Sequence, residues 1–141
     1  ELPLNIRESD SLISFKRKLK DLYKPPIVPS FFISGERTQS VHHARLRNNC
    51  SNLNSDLYNN HLILNPACDC GAPNETAEHY LFQCQKYRDQ RRKLFRNTRE
   101  FHPLSARKLL YGIEVNNYSQ NSQLFQHVHV YIKETKRFSK T

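Results

Sequence analysis

Three of the four cysteines bracket a histidine in the pattern Cys68-x-Cys70-x8-His79-x4-Cys84. Two thiolates one residue apart on a turn can face one ion, and Gly71 behind them lets the backbone curl until its amide approaches sulfur. His79 and Cys84, five positions apart near a helix end, are placed to complete a tetrahedron. Three sulfurs and one nitrogen form a closed structural zinc set with no open position for a hydrolytic water. The expected cofactor is one structural Zn2+, which can contribute on the order of 10 kcal/mol to folding. The competing reading is of buried small hydrophobes or a disulfide, although Cys68 and Cys70 lie too close to bridge one another comfortably. Cys50, among Asn48, Asn49 and Ser51, reads as a half-buried free thiol at a helix boundary rather than a further ligand. His42, His43, His61, His102, His127 and His129 pair with no carboxylate in a pattern that defines a second site, and read as ordinary surface or core histidines.

The second chemistry is charge. Lys plus Arg number 22 against 13 Asp plus Glu, a net +9, which suits phosphate-rich partners better than acidic peptides. Just after the last cysteine, Arg88, Arg92, Arg96 and Arg99 fall at i, i+4, i+8 and i+11, a continuous stripe on a helix that can follow a phosphate backbone. Arg91 and Lys93 add to the same segment. Lys16, Lys18 and Lys20 on the first helix, and Arg45 and Arg47 beside His42 and His43, can extend the surface. The plain alternative is a solvated helix face. No groove-reading motif is present, so the expected partner is RNA and/or DNA held mainly through phosphates, with affinity falling steeply as salt rises.

These residues need elements to position them. The chain has 141 residues, 37% of them hydrophobic, with a mean hydropathy of −0.79, which bounds it to one modest core and excludes a complete large enzyme. Only three glycines occur and no stretch sustains period-two alternation, so the expected fold is mostly α: a small helical domain organised around a structural CCHC zinc knuckle, with little or no sheet. Residues 11–23 place Leu12, Phe15, Leu19 and Tyr23 on one helical face, before a Pro-rich extended linker from Lys24 to Pro29. Short helices are expected over 38–49 and 52–62, and turn chemistry over 65–74. Asn74 is the expected N-cap of a helix over 75–84, with Glu75 and Glu78 in its first turn. A basic helix over 86–99 turns Tyr87, Leu94 and Phe95 inward. Pro103 and Ser105 open a helix over 106–111 that Gly112 terminates. The last helix is expected over 119–138; its segment 127–132 alternates like a strand, yet Leu124, Val128, Tyr131 and Thr135 make a helical face over the longer window. All of this reads as one domain, 1–141: helix and linker over 1–34, a helical core over 35–100 with the knuckle at 68–84, and C-terminal helices over 101–141.

No apolar run approaches the roughly 18 residues of a membrane helix, and the start lacks the blocks of a signal peptide, so an intracellular setting in cytoplasm and/or nucleus is expected, without a membrane partner. With no Met at position 1, the chain reads as a piece of something longer.

The run Gly35-Glu-Arg37, then His42-His-Ala-Arg45-Leu-Arg47, then Cys50-Ser-Asn-Leu53-Asn54-Ser-Asp56-Leu57 resembles the segment after the polymerase domain in non-LTR (LINE-type) retrotransposon polyproteins. Cys68-Asp-Cys70-Gly71, Glu75 to Glu78, His79-Tyr80-Leu81, Cys84 and Tyr87 to Arg91 are similar to that family's cysteine-rich C-terminal motif. The resemblance covers most of the chain and is most specific from Gly35 to Arg91. It implies a zinc-knuckle C-terminal domain with Cys68, Cys70, His79 and Cys84 as ligands, holding template RNA or target DNA beside the reverse-transcriptase domain of the same polyprotein. Gln85 stands where the family often has proline. The paired aspartates of a polymerase are absent, and Asp89, Glu100, Glu114 and Glu134 do not compose a PD...(D/E)xK nuclease. The chain is therefore expected to be an accessory domain and not an enzyme. Two other readings stand beside it: a zinc-stabilised protein-interaction module, and a metal-dependent nuclease resting on Asp56 and His61.

Overall fold

A computed structural model describes residues 7, 11–22, 28–114 and 116–139. Tyr23 and residues 24–27 of the expected linker lie outside them. Among the described residues every regular element is helical, and there is no strand.

Helix α1, Leu12–Leu22, opens with the Ser14 amide donating to Ser11 Oγ. Of the apolar face read for it, Leu12 is 67% exposed and Phe15 and Leu19 are half-buried, so no residue of the helix is fully buried. The core begins at a 3-10 turn, Ser30–Phe32, whose Phe31 ring meets Phe125 edge-on. Helix α2 follows at Arg37–Arg47 and α3 at Asn54–Asn59. Helix α3 is shorter than the expected span 52–62, and both of its ends are marked locally. Ser51 donates through its amide and hydroxyl to the buried Asp56 carboxylate, and beyond the helix His61 turns to φ +60°. Asp56 is thereby occupied in a local cap, while His61 is exposed.

A loop leads to a π-helical turn, His79–Gln83, a 3-10 turn, Gln85–Tyr87, and α4, Arg88–Asn97. After the 3-10 turn Arg99–Phe101 comes α5, Ala106–Tyr111, whose N-cap Ser105 accepts from the Lys108 amide. Gly112 ends it at φ +88°, and its missing side chain is needed twice over, since a Cβ there would lie 2.6 Å from Asn121 Oδ1. That oxygen accepts from the Ile113 amide, while Asn121 Nδ2 donates to the Glu114 carbonyl, so a fully buried Asn is satisfied.

Helix α6, Tyr118–Thr135, is the central rod, packed by α2, α4, α5 and the first 3-10 turn. Its buried positions Asn121, Leu124, Phe125, Val128, Tyr131 and Ile132 follow the helical period, which overrides the local alternation of 127–132. It stops at Thr135, short of 138, where Lys136 turns left-handed at φ +54°, and the chain folds back so that Phe138 packs on Tyr80.

Candidate metal centre and basic surface

Cys68, Cys70, His79 and Cys84 converge, with their donor atoms all within 4.8 Å of one another. Cys68 Sγ lies 3.8 Å from Cys84 Sγ, and Cys70 Sγ lies 3.3 Å from His79 Nε2. A disulfide needs about 2.05 Å between sulfurs, so the pair is not bridged. A tetrahedron with metal–sulfur bonds of about 2.3 Å has sulfur–sulfur edges of about 3.8 Å and sulfur–nitrogen edges of about 3.6 Å. The four donors lie close enough together to hold a metal ion.

Two elements bring the donors together. On one side the Gly71 amide donates to the Cys68 carbonyl and the Cys68 amide to the Ala72 carbonyl, closing a tight turn with Gly71 at φ +99°. On the other, an ordinary α-helix would rotate Cys84 about 140° away from His79, since five residues at about 100° each pass one full turn. The π turn cancels that rotation: the Cys84 amide donates to the His79 carbonyl at 2.8 Å, an i→i−5 bond that sets the two donors on one side. The expected α-helix over 75–84 is thus replaced by this wider turn. Its cap is Thr76, whose Oγ1 accepts from the His79 amide, and not Asn74. Glu75 does not serve the first turn either. Buried at 3% exposure, it accepts from Arg137 Nε and Nη2 at 2.8 and 2.7 Å and from the Asn54 amide at 2.7 Å, joining α3, the cysteine loop and the C-terminal segment. With donors split between a turn and a π-helical limb, the arrangement is not the compact knuckle the sequence suggested.

Burial pushes the Cys68 thiol up to about 12, so at neutral pH a metal must displace its proton. Cys70 is shifted the other way, first by the backbone amide of Ala72, then by the neighbouring Cys68 and Cys84 thiols, with the Gln85 amide a smaller contribution. Cys50 is exposed rather than half-buried, and stands outside the cluster.

The basic residues divide. Arg88, Arg92 and Arg96 are exposed along α4, with only a 3.9 Å contact from Arg92 to Asp89, and Arg99 is exposed in the following 3-10 turn. Arg91 turns inward and donates through Nη2 to the Cys84 carbonyl at 2.7 Å. Lys93 pairs with Glu134 of α6. Arg47 also turns inward, donating from Nε to the Leu110 carbonyl at 2.6 Å with its guanidinium 4.4 Å over the Phe32 ring. Arg45, Lys16 and Lys20 are exposed, and Lys18 is half-buried.

One cluster has no signal in the sequence. His43 Nδ1 and His129 Nε2 meet at 3.1 Å inside the core, while His43 Nε2 donates to the Leu109 carbonyl at 2.7 Å. Burial, with Arg47 close by, lowers the two pKa values to about 3 and about 4.

Compared with protein-family models, curated proteins and solved structures, the chain matches none. Among the described residues no helix is long and apolar enough to cross a membrane.

Proposed function

We propose that this chain is a zinc-binding, nucleic-acid-binding domain, and that it acts as the C-terminal domain of a non-LTR retrotransposon reverse transcriptase, holding template RNA or target DNA for a polymerase domain elsewhere in the same polyprotein. The observation that carries the reading is adjacency. Four convergent soft donors are followed, one 3-10 turn later, by a helix presenting Arg88, Arg92 and Arg96 to solvent. Three thiolates with one imidazole at tetrahedral spacing favour Zn2+ over harder divalent ions. A four-ligand set leaves no open position for catalysis, which supports an accessory and not an enzymatic role. The family assignment rests on the resemblance of Gly35 to Arg91.

A second reading, a zinc-stabilised interaction module docking on a protein, is favoured by the exposed apolar residues of α1. One measurement tests the metal both readings share, and a second separates them. Elemental analysis is expected to give one zinc per chain, lost in Cys68→Ala. Retention on single- and double-stranded RNA and DNA is expected to fall steeply with salt. Replacing Arg88, Arg92 and Arg96 together by serine should flatten the slope of log K against log salt by about 2 to 3. Indifference of the metal-loaded chain to all four nucleic acids would leave the second reading.

A further inference from the structure

The three sulfurs of the cluster differ in what can reach them. Cys68 and Cys84 are buried, at 6% and 0% exposure, whereas Cys70 is only half-buried. A small oxidant arriving from solvent therefore meets Cys70 first. Its neighbour Cys68 is separated from it by one residue and cannot bridge to it comfortably, which leaves Cys84 on the opposite limb as the partner in reach, with all donors within 4.8 Å. The buried pair is itself close to bonding geometry, with Cys68 Sγ 3.8 Å from Cys84 Sγ. Both backbones are pinned: the Cys68 amide donates to the Ala72 carbonyl, the Cys84 amide to the His79 carbonyl, and Arg91 Nη2 to the Cys84 carbonyl. The two sulfurs need approach by only about 1.8 Å to reach the disulfide length, a change that side-chain torsions can supply.

We propose that the cluster is a peroxide-responsive thiol relay, in which Cys70 is oxidised first, Cys84 resolves it, and Cys68 takes over the bond to Cys84 as the metal leaves. The Cys70 thiolate attacks one oxygen of hydrogen peroxide. The S–O bond forms as the O–O bond breaks, sulfur gives up two electrons, and the departing hydroxide takes a proton from solvent to become water. The Cys84 thiolate then attacks the sulfenic sulfur, forming the S–S bond and expelling a second hydroxide, which solvent also protonates. Finally the Cys68 thiolate attacks Cys84 Sγ, and the electron pair leaves on Cys70, restoring its thiolate with no further oxidation. Two of the three thiolates are then spent on a buried disulfide. Cys70 and His79 alone do not make a closed set, so the ion is released. The relay rests on the zinc reading above only for the identity of the ion released.

The test uses the zinc-loaded full chain carrying Cys50→Ser, which removes the exposed thiol outside the cluster. Its zinc content is measured first, hydrogen peroxide is added, and a chelating dye follows the metal. Samples are quenched with dimedone at early times and with N-ethylmaleimide at the end, and peptides are mapped by mass spectrometry. The expected results are a dimedone adduct at Cys70, loss of the bound zinc in step with disulfide formation, and an end product with Cys68 joined to Cys84 and Cys70 alkylated. Dithiothreitol with added zinc should restore the starting state. An adduct appearing first at Cys68 or Cys84, or an end product whose disulfide contains Cys70, would overturn the relay. A chain that carries no zinc before peroxide would remove the metal reading, while the same adduct and disulfide maps would still decide the order of the thiols.

Discussion

The pKa of Cys70 is lowered from the usual thiol value, first by the backbone amide of Ala72, then by the Cys68 and Cys84 thiols, and least by the backbone amide of Gln85. A proline after Cys84, as the resembling family often has, would bring no N–H to that position. Gln85→Pro is therefore expected to weaken zinc binding about 10- to 100-fold in a chelator competition, the usual scale for losing an outer hydrogen bond to a ligand. Unchanged affinity would mean that the Gln85 amide does not support the sulfur. The buried histidines give a second expectation. With His43 donating from Nε2 to the Leu109 carbonyl, its Nδ1 accepts from His129, and both rings are neutral. Their folded pKa values, about 3 and about 4, lie below the ordinary 6.5, so the unfolded chain binds the extra protons. Stability is then fully present above pH 6.5 and falls as pH drops, by about 2 kcal/mol per histidine at pH 5. Because acid also protonates the metal donors, the informative quantity is the difference between the wild type and His129→Gln in urea midpoints at pH 7.5 and 5. The variant should show the shallower pH dependence, and identical profiles would sink the assignment. The cysteine–histidine cluster was legible in the sequence because all four residues fall within 17 consecutive positions, 68 to 84. The histidine pair was not, because its members lie 86 positions apart and only the α2–α6 packing joins them.

The π turn is the element on which the cluster depends, and tertiary contacts hold it in its wide form. The Tyr131 hydroxyl donates to the Tyr80 carbonyl inside the turn, and the Tyr80 hydroxyl meets Thr135 Oγ1 at 2.7 Å. Both partners come from α6. Tyr131→Phe keeps the ring and removes the donor, leaving a buried carbonyl unpaired at a cost of about 1 to 3 kcal/mol. If α6 holds the turn open, the same variant should lose zinc affinity as well as thermal stability; loss of stability with full affinity would show that the turn keeps its form unaided. Here the sequence could specify little. An α turn and a π turn over 79–84 need the same apolar residues and differ by one residue of hydrogen-bond register. Asn74 and Thr76 are both good N-caps, and the choice between them follows from Glu75, which is drawn into the interior by Arg137, 62 positions away. The helices with strong local signals came through more directly: Ser105 and Gly112 bound α5 as read, and the long apolar face of α6 formed as a helix.

At the scale of the whole molecule, much of the charge that first suggested nucleic acid does internal work. Arg47 and Arg91 cap carbonyls, Arg137 holds Glu75, and Lys108 donates to the carbonyls of Phe101 and Pro103. Among the basic residues left exposed, the stripe on α4 is tied in its placement to the cysteine–histidine cluster, because Arg91 anchors α4 to the Cys84 carbonyl. A structural zinc contributes on the order of 10 kcal/mol, comparable to the whole stability of a small domain at about 5 to 15 kcal/mol. Removing the metal should thus unfold the part of the chain that depends on it. That part is the cysteine loop, the π turn and α4, whereas α2, α5 and the first half of α6 pack through Leu46, Leu109, Leu124 and Phe125 without a metal donor among them. Hydrogen exchange after chelation should show protection lost over residues 68–97 and kept at Leu46, Leu124 and Phe125. Nucleic-acid affinity at fixed salt should fall in the same titration, although no arginine of the stripe is a metal donor. Uniform protection with unchanged binding would mean that the four donors hold no structural ion, and that the stripe is positioned by packing alone.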